Sequence, residues 1–171
     1  MKGESHIVLG AAAGAALHLA VPYLPAGVLP LSVVIGVNVV GSLLPDIDSD
    51  ESIIRQATGT NRRSGCLGWI VSLGFSLFGG HRAITHSLIA LGLVAGLARW
   101  AGQPWALAFA VGYAAHLLAD MLTRAGIPLL WPFTDRRFHL LPRPLRVTTG
   151  TLVEYLLVLV AVIGVARLWP F

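Results

Sequence analysis

Charged residues are scarce in this chain. Only 12% of its 171 residues are Asp, Glu, Lys or Arg, whereas 56% are hydrophobic and the mean hydropathy is +0.76. A soluble domain of this length usually carries about 25% charged residues. The composition therefore excludes an ordinary soluble domain and predicts a single integral membrane domain, residues 1–171.

Cysteine and acidic residues are also few. The chain has one cysteine, Cys66, which excludes an internal disulfide. Basic residues outnumber acidic ones, so the formal net charge is +4. We assign this excess to contact with anionic lipid headgroups and expect no nucleic-acid partner.

Five apolar runs approach the ~20 residues that a helix needs to cross a bilayer. They are residues 7–24, 26–44, 84–100, 104–122 and 151–168. A sixth run, 67–78, reaches only ~18 Å as a helix and is rich in Gly and Ser. The sequence thus predicts an all-α polytopic membrane bundle of about five transmembrane helices, with 67–78 as one short re-entrant or interfacial helix.

The distribution of basic residues predicts the orientation. If 67–78 does not cross and the N-terminus is cytoplasmic, ten of the twelve basic residues lie inside, and only Arg99 and Arg167 lie outside. If 67–78 crosses, the basic residues divide six and six. The positive-inside rule favours the first arrangement. It puts the polar loops 45–66 and 123–149 on the cytoplasmic side and the C-terminus outside.

Ionisable residues in or beside membrane spans are costly and usually functional. In this chain, seven of them fall at the predicted cytoplasmic ends of the spans, so the topology brings them into one layer although they are scattered in sequence. These seven residues are His6, Asp46, Asp48, His81, His86, His116 and Asp120.

Local spacing in two of the motifs suits a shared ligand face. His116 and Asp120 are four residues apart, so they lie on one face of a helix. Asp46 and Asp48 follow Pro45, and in an extended segment they would point the same way. His116 and Asp120 taken alone are equally compatible with an interhelical hydrogen-bonded pair.

The remaining histidines need different placements. His81 and His86 are ~140° apart around a helix, so we place His81 in a loop and His86 in the first helical turn. His6, Gly10 and Gly14 form a small-residue stripe that lets another helix pack closely and holds His6 near the centre.

Histidine and aspartate together suit Zn²⁺, Mn²⁺ or Fe²⁺. Seven candidates exceed the needs of one tetrahedral ion, whereas two ions bridged by a carboxylate would use them all. Two-metal sites favour hydrolysis at phosphorus with a bound hydroxide as nucleophile.

Asp48 and Asp50 are both candidates for a general base. Arg82 is a candidate to hold a phosphate through its planar fork, with a plain membrane anchor as the alternative.

Two simpler interpretations concern other roles for acidic residues. Asp46, Asp48 and Asp50 do not form an EF-hand loop, because Glu51 stands where that loop needs Gly. Glu154, near the start of the last span, is interpreted as a partner for a loop arginine.

Four sequence segments together resemble the LexA-regulated, membrane-bound, metal-dependent hydrolases of bacterial inner membranes, over most of the chain. The segments are His6, Leu44-Pro45-Asp46-Ile47-Asp48, His81-Arg82-x-x-Thr85-His86-Ser87 and His116-Leu117-Leu118-x-Asp120-x-x-Thr123-x-x-Gly126. The resemblance implies metal-dependent hydrolysis in the inner membrane. The order of ligands is also similar to that of zinc-dependent phospholipase C and single-strand nucleases, which implies that Asp120 bridges two metals.

These observations favour a hydrolase that cleaves a phosphoester of a membrane phospholipid or lipid-linked substrate at the cytoplasmic face, with two divalent ions, zinc first. Two alternatives stay open. One is a transporter or channel for metal ions or protons, although such sites usually lie at the bilayer midplane at a repeat interface. The other is a non-catalytic membrane scaffold with a structural metal.

Overall fold

A computed structural model describes residues 1–20, 29–49, 52–60 and 84–168, and the regular secondary structure in these ranges is helical. Two 3₁₀ turns, Leu44–Asp48 and Arg143–Leu145, interrupt the connections, and extended residues in the described ranges pair only as isolated bridges. The all-α prediction is therefore confirmed. The helices are α1 (Gly3–Ala20), α2 (Leu31–Leu43), α3 (Ile53–Ala57), α4 (Leu88–Ala101), α5 (Pro104–Met121) and α6 (Leu152–Leu168).

Proline and glycine set several helix ends. Pro30, with φ −52° and ψ 139°, precedes α2, and Pro104 occupies the first turn of α5. Gly102 ends α4 in the left-handed conformation, with φ +63°. Within the described ranges, no helix is both long enough and apolar enough to cross a bilayer. The predicted short run 67–78 lies outside the described residues.

Helix α2 packs against both α1 and α5. Helix α1 also packs on α5 and α6, and α4 packs on α5. Gly10 and Gly14 lie on the buried side of α1, where added Cβ atoms would meet Ser42 and Asn38 of α2. The predicted small-residue stripe is therefore confirmed, and it brings the two helix backbones close together.

The contact between α2 and α5 is equally close. A Cβ on Gly112 would collide with the carbonyl oxygen of Asn38, and a Cβ on Gly41 with that of Phe109. The Asn38 side chain is fully buried and donates from Nδ2 to the Ala108 carbonyl at 2.8 Å. This close approach sets the position of α5, which carries His116 and Asp120.

We expect Gly112→Ala to lower the free energy of unfolding by ~1–3 kcal/mol, because the new methyl group meets backbone that cannot move aside. Gly36→Ala is the matched control, since no described atom lies within 4 Å of its added Cβ. Alanine favours a helix over glycine by ~1 kcal/mol, so this control should be neutral or stabilising. Thermal unfolding in detergent measures both, and equal midpoints would contradict the packing.

The segment between α5 and α6 folds back over one end of the bundle. Thr123 bridges to Val147, and Ile127 bridges to Phe138. The Leu129 carbonyl accepts a 2.8 Å hydrogen bond from the backbone N–H of Leu88, where α4 begins. The segment thus ties the end of α5 to the start of α4, and both points carry predicted ligands.

Candidate metal centre

Five of the seven predicted ligands meet at this end of the bundle. His6 comes from the start of α1, Asp46 from the turn after α2, His86 from the turn before α4, and His116 and Asp120 from the end of α5. The three imidazoles and the Asp120 carboxylate are fully buried, while the Asp46 side chain is 15% exposed. Among these five described side chains, Asp46 is therefore the one that solvent reaches.

The backbone of α2 fixes the orientation of His116. Its Nδ1 donates to the Ser42 carbonyl at 2.6 Å, and Ser42 lies in the last turn of α2, where carbonyls lack helical partners. The Ser42 hydroxyl lies 3.0 Å from the His6 carbonyl, which connects α1 to the same point. Because Nδ1 carries the proton, Nε2 of His116 is left with its lone pair directed into the cluster.

His86 lies before α4 and not in its first turn as the sequence suggested. The Ser87 hydroxyl accepts from the Ala90 N–H at 3.2 Å, so Ser87 is the N-cap and the helix begins at Leu88. The Thr85 hydroxyl lies 3.1 Å from Nδ1 of His86. This contact turns Nε2 of His86 toward His116.

The prediction of an extended segment at Asp46 and Asp48 is wrong. Residues Leu44–Asp48 form a 3₁₀ turn with Pro45 in its first turn, because proline tolerates helical φ angles there. Asp46 points into the cluster from this turn. The side chain of Asp48 is outside what the structure describes.

Donor atoms of four residues approach one another here. The Nε2 atoms of His86 and His116 are 3.1 Å apart. Asp46 Oδ1 lies 3.6 and 3.8 Å from these two nitrogens, and Asp120 Oδ2 lies 3.7 and 3.9 Å from them. Ligands at ~2.0–2.1 Å from a tetrahedral ion are roughly 3.3 Å from one another. Each of these separations is therefore within roughly half an ångström of the spacing that a shared ion requires.

The other oxygen of Asp120 faces a second position. Oδ1 lies 3.3 Å from Nε2 of His6 and also contacts the α-amino group of Met1, a cation. The His6 ring stacks on that of His116, with centroids 3.7 Å apart. Within the described residues, Nδ1 of His6 has no hydrogen-bond partner, and Nε2 has Asp120 as a polar neighbour. Burying such an imidazole is costly, and a bound cation would relieve that cost.

The donor set fits transition-metal ions. Two overlapping groups have ligand atoms within 4.8 Å of one another: His6, His116 and Asp120, and Asp46, His86 and His116. Since Nδ1 of His116 donates a hydrogen bond to the Ser42 carbonyl, His116 has one nitrogen, Nε2, to offer to one ion. Asp120 is the residue whose two oxygens face different partners, so it is the one suited to bridging.

The remaining predicted residues cannot be placed in the site. His81, Arg82 and Asp50 lie outside the described residues, as does the side chain of Asp48. The roles assigned to these four residues stay predictions from the sequence.

Glu154 supports the site in a way that the sequence did not suggest. It is fully buried at the start of α6 and accepts from the backbone N–H of Lys2 at 2.8 Å, the Ser5 hydroxyl at 2.5 Å and the Gly150 N–H at 2.6 Å. In the described part of the chain these groups, and not a loop arginine, satisfy the carboxylate. They fix the first turn of α1, which carries His6.

The residues that follow Asp120 also have a structural role. The Thr123 hydroxyl donates to the Asp120 carbonyl at 2.7 Å and lies 3.4 Å from the Gly126 N–H. Gly126 has a φ of +60°, and a Cβ there would meet the Phe138 carbonyl at 2.7 Å. The Thr-x-x-Gly part of the motif thus ends α5 and turns the chain back across the site.

A cavity of about 500 Å³ adjoins the cluster at Asp46. Its walls come from the first residues of the chain, the segment from Asp46 to α3, and Thr149. It gives the buried centre a connection to the molecular surface.

Together these features define a helical protein with a buried His/Asp centre at one end of its bundle. The sequence profile of the YdjM inner membrane protein family matches residues 1–171, so the chain belongs to this family. Two relatives named Inner membrane protein YdjM, from Escherichia coli (strain K12) and Shigella flexneri, are each 40% identical over 97 residues. Each match covers 53% of this chain and 44% of the relative. No solved structure matches the chain.

Proposed function

We propose that this protein is a metal-dependent hydrolase of the bacterial inner membrane that cleaves a phosphoester of a membrane lipid at the cytoplasmic face. The observation that carries the proposal is the position of Asp120, whose oxygens face two different sets of histidines. A carboxylate so placed would suit two neighbouring ions, as the resemblance to zinc-dependent phospholipase C implies for Asp120.

The described residues would divide between the two ions. His86, His116, Asp46 and one oxygen of Asp120 would hold the first, and His6 with the other oxygen would hold the second. Zinc is the first choice for these donors, with manganese or iron as alternatives. When bound, such ions lower the pKa of a coordinated water and stabilise charge on a phosphate.

The protein supplies orientation and shielding. Ser42 and Thr85 orient the two imidazoles through Nδ1, so that their Nε2 atoms converge. Burial of four of the five side chains excludes bulk water from all but the Asp46 side. Asp48 and Asp50 remain the candidates to remove a proton from the attacking water, and Arg82 remains the candidate to hold the phosphate.

The outer surfaces of α4 and α6 support a lipid environment. Leu93 and Leu97 of α4 are each 63% exposed, and Val160 of α6 is 69% exposed. Extended apolar surface of this kind needs a partner, and acyl chains supply one. The printed name of the relatives agrees with membrane insertion. The cytoplasmic position of the N-terminus and the metal centre stays a prediction from the distribution of basic residues.

The position of the cluster argues against transport. All five described ligands lie at or beyond helix ends on one side of the bundle, whereas transport sites usually lie midway along the spans. Control by a LexA-type repressor, which the sequence resemblance implies, stays a prediction.

Arg82→Lys tests whether the reaction takes place on a phosphoester. Metal content should stay near wild type, because a protonated arginine is not a ligand. Hydrolysis in a phospholipid panel should fall on the order of 10²-fold, or ~2.7 kcal/mol, because the bidentate contact to the transition state is lost. Arg99→Lys, at the far end of α4, is the control and should keep the wild-type rate.

Two outcomes would overturn the proposal. One is a metal-loaded wild-type protein that hydrolyses no phospholipid and no model phosphodiester. The other is movement of metal ions into liposomes by wild type, abolished in His86→Ala, which would favour the transporter.

A further inference from the structure

The cavity beside Asp46 has the size of a small-molecule site. Its volume of about 500 Å³ lies inside the ~300–1,000 Å³ range of such sites. Polar side chains dominate its walls, and the residues that matter for recognition are Lys2, Glu4, Ser49, Ser52, Gln56 and Thr149. Hydroxyl, amide and ammonium groups of this kind bind phosphate and hydroxyl oxygens.

Lys2 is held in place at the rim of this cavity. Its backbone N–H donates to Glu154, and a Cβ on Gly150 would lie 3.2 Å from its Cε, so the lysine stem passes over that glycine. Its Nζ lies 3.2 Å from the Tyr155 hydroxyl and 5.9 Å from the ring centroid. These contacts place the exposed Lys2 ammonium beside the first turn of α6.

Apolar surface begins on α6 next to the same rim. Thr149 lines the cavity, and Leu152 and Val153 a few residues later are 72% and 56% exposed. Lysine and tyrosine are typical of the boundary between headgroups and acyl chains. The rim formed by Lys2 and Tyr155 thus separates a polar cavity from a face suited to acyl chains.

We propose that this cavity binds the phosphate-ester headgroup of the substrate, with Lys2 as its charged contact and the acyl chain lying along α6 at Leu152. The proposal rests on the proposed function, because it places the scissile group beside Asp46. It assigns recognition to residues outside the metal centre, and it can therefore be tested by binding as well as by activity.

The test compares two probes that share a headgroup, glycerol 3-phosphate and lysophosphatidic acid, by calorimetry on the full chain in detergent. Lys2→Met should weaken both about fivefold, as expected for one exposed charge. Glu4→Gln removes a negative charge from the same cavity and should leave binding unchanged or tighten it. Leu152→Ser should weaken lysophosphatidic acid alone. Elemental analysis should give wild-type metal content for all three variants.

The outcomes separate the two proposals. Equal affinity of wild type and Lys2→Met for both probes, with metal present, overturns the headgroup site and leaves the hydrolase proposal standing. Binding that depends on Lys2 in a protein without metal supports the site and defeats the hydrolase. Equal binding of the two probes, unchanged by Leu152→Ser, overturns the acyl-chain contact at Leu152 and leaves a phosphate-ester site for a soluble ester.

Discussion

Asp120→Asn should lose most of its bound metal while the bundle stays folded. Asparagine preserves the shape of the side chain, but it removes the negative charge and replaces one of the two donor oxygens with an amide nitrogen. Since the two oxygens face separate ligand sets, one substitution should empty both positions. Elemental analysis of purified protein measures the loss, with helical content by circular dichroism as the check on folding.

Asp135→Asn is the matched control for that substitution. Asp135 is an exposed aspartate of the segment between α5 and α6, so its variant should keep the wild-type metal content. If Asp120→Asn and Asp135→Asn retain equal amounts of metal, Asp120 is not a ligand and the bridging role is wrong.

His86→Ala should lower phosphoester hydrolysis on the order of 10³-fold, or ~4 kcal/mol, because it removes the nitrogen at the centre of the first donor set. Nε2 of His86 lies within 3.1–3.7 Å of His116 Nε2, Asp46 Oδ1 and Asp120 Oδ2. Without it, the remaining donors cannot complete a tetrahedron. Metal content and rate should therefore fall together, unlike in Arg82→Lys, where only the rate falls.

His18→Ala provides the comparison for that variant. His18 lies in the last turn of α1, and it belongs to neither group of potential ligands in the described residues. Its variant should keep both metal and activity. A His86→Ala protein that keeps full metal and full activity would remove His86 from the site.

Periodicity and charge distribution predicted much of the fold. The four-residue spacing of His116 and Asp120 was enough to predict that they share a helix face, and so was the stripe of Gly10 and Gly14. Helix geometry alone decides which side chains share a face. The charge asymmetry also predicted that the end of α2 and the start of α4 lie on one side. The 3.6 Å contact between Asp46 and His86 agrees with this arrangement.

Other parts of the site could not be predicted from spacing. Proline at position 45 is compatible with both extended and 3₁₀ backbone, so the turn at Asp46 depends on tertiary packing. The contact from His116 to Ser42 joins a side chain to a backbone carbonyl, and such a contact has no sequence signature. Glu154 was assigned the wrong partner because its donors are backbone groups and a serine far away in sequence.

The metal content of the purified wild-type protein tests the central claim most directly. Inductively coupled plasma analysis, on protein prepared in detergent without chelators and shown to be helical, should give close to two transition-metal ions per chain, with zinc dominant. Well-folded protein that contains no transition metal, and takes up none when zinc is added, would contradict the account.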